Sequence, residues 1–111
     1  MNTTTAALQA EYLRLAKQLA HTGWISHGYV QNRGPGAGGP CYQWTRKVRG
    51  KTVSLALSKE QYQWMKTGLT NWRKVQRTLR RMEQISRAMM FLTTPDIKRR
   101  IPLSKKVMGL I

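Results

Sequence analysis

Cys41-Tyr42-Gln43-Trp44-Thr45-Arg46-Lys47-Val48-Arg49-Gly50-Lys51-Thr52-Val53-Ser54-Leu55-Ala56-Leu57 decides the fold. Two alternating runs flank Arg49-Gly50, the pattern of a β-hairpin with a two-residue turn. With those two residues at the turn, Val48 faces Lys51, Arg46 faces Val53, Trp44 faces Leu55 and Tyr42 faces Leu57. These pairs share one mostly apolar face. Gln43, Thr45 and Lys47 stand across from Ala56, Ser54 and Thr52 on the other face. A slip of one residue would set Trp44 against Ser54 and mix the faces, so the register is well specified. A type I′ turn puts Arg49 at positive φ, at a cost on the order of 1 kcal/mol.

Downstream, Ser58 is an N-cap with Gln61 three residues on, a capping box. A long helix is predicted over 59–92, with Gly68 as its one weak point. Its apolar seam is Tyr62, Met65, Leu69, Trp72, Val75, Leu79, Met82, Ile85 and Met89, spaced by threes and fours as in a coiled coil. Such a helix is about 50 Å long and outruns a small sheet, so its distal half needs a further partner: the first helix, a second copy in a homodimer or a larger nucleoprotein assembly. Beyond it, Thr94-Pro95-Asp96 has the form of a helix start, and Ile97 to Ile101 have room for one turn before Pro102. Residues 93–111 are read as a basic C-terminal arm, of which Ser104 to Ile111 order only on contact.

Upstream, residues 24–33 read as a further strand. The Gly-rich loop 34–39 follows; it lacks the Gly-Lys-Ser/Thr and the following helix of a phosphate-binding loop. Leu8, Tyr12, Leu15 and Leu19 mark an amphipathic helix over 4–22, with an N-cap among Thr3, Thr4 and Thr5 and a stop at Gly23. The reading is an α+β domain over 1–92: N-terminal helix, small three-stranded antiparallel sheet over 24–57, long helix, then the basic C-terminal arm.

Charge points to the partner. The 111 residues hold 20 Lys and Arg against 4 Asp and Glu, a formal +16. Self-repulsion of that size calls for a polyanion, and nucleic acid gains further from counterion release. The excess begins at Arg33; the first helix has only Arg14, Lys17 and Glu11. On the long helix Lys66, Arg73, Arg77, Arg80 and Arg87 lie within about 40° of one line, with Lys74 and Arg81 widening the stripe. Arg46, Arg49 and Lys51 on the hairpin and Lys98, Arg99, Arg100, Lys105 and Lys106 on the arm complete the candidate phosphate contacts. Such contacts fix position without reading sequence. Gln43, Thr45, Lys47, Thr52 and Ser54 form the candidate groove face, since a β-ribbon can enter the major groove. Tyr42 and Trp44 are read as core opposite Leu55 and Leu57, with stacking on single strands as the alternative. Trp24, Trp64 and Trp72 are read as packing anchors.

Catalysis has little to work with. Glu11, Glu60, Glu83 and Asp96 are scattered, whereas metal-dependent nuclease chemistry needs clustered carboxylates. Cys41 with His21 or His27 makes no convincing zinc site, and Cys41 is read as a buried side chain rather than a nucleophile. The expectation is a protein that is not an enzyme and takes no cofactor or metal. No apolar run approaches membrane-spanning length, no secretory signal is evident, and one Cys suits a reducing compartment. A prokaryotic cytoplasm, associated with the nucleoid, is the expected location.

Gly39-Pro40-x-Tyr42-x-Trp44-Thr45-Arg46-Lys47-x-x-Gly50-Lys51-Thr52-x-Ser54-x-x-Leu57-Ser58, followed by a helix from Glu60-Gln61 to Arg87, resembles an uncharacterised family of short basic prokaryotic proteins encoded near transposases and other mobile elements. The resemblance spans about residues 24–87. Many members carry a Cys-rich patch before the Gly-Pro, where this chain has its glycine-rich loop, so a metal role does not carry over. The order of sheet and helix is also similar to the arm-binding domain of tyrosine-recombinase integrases, which places its sheet in the major groove. The family implies no activity of its own; with the charge and the polar hairpin face, the expectation is a DNA-binding accessory protein of a mobile element or phage. An RNA-binding ribonucleoprotein subunit and a basic module for an acidic protein are the rivals.

Overall fold

The computed structural model describes residues 3–36, 38, 39, 41–99 and 101–111, the Thr3 side chain excepted. The chain is α+β, in the order α1 (Thr3–Ala20), β1 (Tyr29–Asn32), β2 (Tyr42–Val48), β3 (Lys51–Leu57) and α2 (Lys59–Thr93). It gathers into two compact units, Met1–His21 with Gln76–Ile111, and Thr22–Val75. No helix among the described residues is long and apolar enough to cross a membrane.

The Thr22–Val75 unit holds an antiparallel sheet in the order β1-β2-β3. The hairpin has the register that its pattern dictates, from Tyr42 opposite Leu57 to Val48 opposite Lys51. Arg49 (φ 50°) and Gly50 (φ 79°) make the turn, so the strain at Arg49 is present. β1 lies along the other edge of β2, with Val30 opposite Trp44 and Gln31 opposite Gln43.

The first strand is shorter than its sequence suggests. Residues 24–28 form a strap along α2 instead: the Ser26 amide donates to the Gly68 carbonyl (3.2 Å) and Asn71 Nδ2 to the Trp24 carbonyl (2.9 Å). A Cβ on Gly68 would sit 3.3 Å from the Ser26 nitrogen. What reads as a weak point of the helix is therefore the place where the strap lies close. Gly28, at φ 110°, ends the strap, and the Trp44 indole donates to the His27 carbonyl (2.9 Å).

The capping box at the start of α2 is reciprocal: the Ser58 amide donates to Gln61 Oε1 (2.9 Å) and the Gln61 amide to Ser58 Oγ (3.1 Å). Within this unit Leu69 is buried, with Tyr62, Met65, Trp72 and Val75 half-buried.

In the other unit, Leu15 of α1 and Ile85 of α2 are the buried apolar side chains among the described residues. Thr78 is buried while Leu79 is 41% exposed, so the seam runs through the smaller polar residue. The helix turn expected after Thr94 does not form among the described residues of 95–101. The Ile97 amide donates to Asp96 Oδ1, and Asp96 also pairs with Arg99; these local bonds compete with a turn too short to repay its nucleation cost.

One turn forms farther on. Ser104 Oγ accepts from the Val107 amide, while Leu110 and Gly109 amides donate to the Lys105 and Lys106 carbonyls. With Gly109 at φ 72° this is a Schellman stop. Arg87 Nη1 donates to the Gly109 carbonyl at 3.1 Å, so the arm expected to order only on contact is tied to α2 here.

Candidate nucleic-acid interface

In the Thr22–Val75 unit, strand alternation assigns Gln43, Thr45, Lys47, Thr52 and Ser54 to one sheet face, as expected. Two cross-strand bonds order it: Thr45 Oγ1 and Ser54 Oγ are 3.0 Å apart, and Lys47 Nζ donates to Thr52 Oγ1 at 2.7 Å. The register of β1 adds Tyr29 beside Thr45 and Gln31 beside Gln43. The sequence alone does not mark these two as site residues, because only strand pairing places them on this face. Tyr29 is 62% exposed and bears an aromatic surface as well as a hydroxyl.

The unit is strongly basic. Arg33, Arg46, Lys47, Arg49, Lys51, Lys59, Lys66, Arg73 and Lys74 meet a single acid, Glu60. Arg49 and Lys51 are exposed at the hairpin tip. Arg46 is on the opposite face, its guanidinium 4.2 Å from the Trp44 ring centre, and Lys66 Nζ lies 5.9 Å from the centre of the Tyr62 ring.

That opposite face is covered in part by the first turns of α2. Tyr42 packs on Tyr62 with ring centres 4.8 Å apart, and Trp24 stacks on Trp64 at 4.0 Å. The reading of Tyr42 and Trp44 as core is half met, since both are half-buried. Trp24 and Trp64 are 51% and 60% exposed, which departs from their reading as packing anchors. Cys41 is half-buried rather than buried, its thiol 3.6 Å from Asn32 Oδ1.

In the Met1–His21 and Gln76–Ile111 unit, the candidate cations differ in their commitments. Arg77 and Arg80 are exposed, without an ion-pair partner among the described residues. Arg81 is held by Glu11, and Arg87 by Glu83 (3.7 Å) as well as Gly109. Arg99 pairs with Asp96. The Arg81 guanidinium, by hydrogen bond and charge, keeps the Glu11 carboxyl below its usual range, and Arg99 with the Ile97 amide does the same to Asp96. Lys98, Lys105 and Lys106 are exposed on the arm; Arg100 lies outside the described residues. No group of three His, Cys, Asp or Glu able to hold a metal ion occurs among the described residues.

Comparison with protein-family models, with curated proteins and with solved structures returns no match for this chain.

Proposed function

We propose that this protein binds nucleic acid, with duplex DNA as its preferred partner, and works as an accessory factor of a mobile element or phage. The observation that carries this reading is the sheet face of Tyr29, Gln31, Gln43, Thr45, Lys47, Thr52 and Ser54, half-buried at Gln43 and Thr45 and exposed at the other five. It is rich in donors and acceptors, holds no acid, and runs to a hairpin tip bearing Arg49 and Lys51. Amide and hydroxyl side chains on a β-ribbon suit base edges in a major groove. Arg73, Arg77 and Arg80 along α2 suit phosphates, where they add affinity without sequence preference. The mobile-element context and a cytoplasmic, nucleoid-associated location belong to the same proposal and follow from the resemblance read in residues 24–87 of the sequence.

Mobility shifts against duplex DNA, single-stranded DNA and structured RNA at one salt concentration test the choice of partner. Tightest binding to the duplex is expected. Structured RNA bound about tenfold more tightly would overturn the DNA assignment.

A further inference from the structure

Between the apolar sheet face and the first turns of α2, the Thr22–Val75 unit has a groove of about 620 Å³. Its lining includes Trp24, Trp44, Trp64, Leu55, Glu60 and Gln61. Leu55 is 52% exposed, and Trp24 and Trp64, stacked on each other, expose about half of their surface. A hydrophobic core would hide such rings; here they form the walls of an open groove. Glu60 is the one acid with no ion-pair partner among the described residues, and it lines this groove. Gln61 spends its Oε1 on the capping box, which leaves the two amide hydrogens of its side chain as donors. One cation stands at the groove wall, Arg46, over the ring of Trp44.

We infer that this groove takes an unpaired nucleobase, one carrying an exocyclic amine, from a single-stranded or locally opened nucleic acid. This role rests on the nucleic-acid binding proposed above and adds a second surface to it. Indole faces stack on any base, and a carboxylate selects those with an amine to donate, such as cytosine. Arg46 at the groove wall, in a unit of strong positive charge, suits the phosphate that flanks the base. A cationic guest would suit Glu60 and the indoles, but it would enter a unit whose nine other charges all repel it. A nucleobase attached to phosphate meets those charges favourably.

The test is tryptophan fluorescence and affinity of the full-length protein at neutral pH with oligo-dC, oligo-dT and a duplex of the same length. Oligo-dC is expected to quench the emission. Trp64→Ala is expected to weaken oligo-dC binding about tenfold while duplex affinity changes less than about twofold. Glu60→Gln, at an exposed position, is expected to keep helicity and to erase the preference for oligo-dC over oligo-dT. Duplex binding without quenching by either single strand would overturn this inference and leave the proposed function standing, as would equal losses for both ligands in Trp64→Ala. Failure to bind any of the three at low salt would overturn both. An RNA oligo-C arm separates the sources: tighter binding than oligo-dC would assign the groove to RNA bases.

Discussion

Arg81 grips the carboxylate of Glu11 through two parallel bonds, Nε to Oε2 and Nη2 to Oε1, each 2.8 Å long. The pair joins α1 to the distal part of α2 and takes Arg81 out of the free cationic surface. The side chains are 43% and 28% exposed, so solvent screens the interaction. Arg81→Ala is expected to cost about 0.5–1 kcal/mol in denaturant unfolding, with less loss of nucleic-acid affinity than Arg80→Ala.

The same pair has a pH signature. Glu11 is held below its ordinary value in the fold, so the unfolded chain binds its proton more readily. The stabilisation is complete above the unfolded carboxyl value, about 4.3, and is lost as pH falls through the depressed native value. Thermal melts of the wild type are expected to drop across that window, with a smaller drop in Glu11→Gln.

The hairpin turn keeps a residue that its conformation disfavours, Arg49 at φ 50°. Asn-Gly is the favoured pair for such a turn. Arg49→Asn is therefore expected to raise stability by about 0.5–1 kcal/mol while weakening nucleic-acid binding. Measuring both quantities on one variant checks whether the strain is retained for the charge.

At Gly28 a Cβ would stand 2.6 Å from Trp44 Nε1 and 2.7 Å from the Thr45 carbonyl oxygen, at a φ of 110°. Gly28→Ala is expected to destabilise the protein by roughly 2–3 kcal/mol or more, through backbone strain and displacement of the indole. Chemical denaturation followed by tryptophan emission reads this directly.

The hairpin was legible in the sequence because alternation and turn chemistry agree, and every register pair follows from them. The capping box was legible for the same local reason. The strap at 24–28 was not, since its apolar residues pass for a strand until tertiary bonds to Gly68 and Asn71 claim its backbone. Thr78 replaced Leu79 in the seam because residues three and four apart compete for one position, and packing rather than hydropathy chose between them. Of the candidate site, the residues on β2 and β3 were readable, whereas Tyr29 and Gln31 needed the pairing of β1. The Glu11 pairing with Arg81 bridges 70 positions and has no local sign in the chain.

Base reading and phosphate tracking separate by mutation. Replacing Gln43, Thr45 and Thr52 together with Ala is expected to change the ranking of duplex sequences in a selection experiment. Replacing Arg73, Arg77 and Arg80 with Ala is expected to weaken all sequences alike. An unchanged ranking in the hairpin variant would remove the groove-reading role.

Nucleic-acid binding itself is tested most directly by the salt dependence of duplex DNA affinity. With six to ten phosphates neutralised, a plot of log K against log salt should fall with a slope of roughly −5 to −9. A slope near zero, or no measurable binding at low salt, would contradict the account.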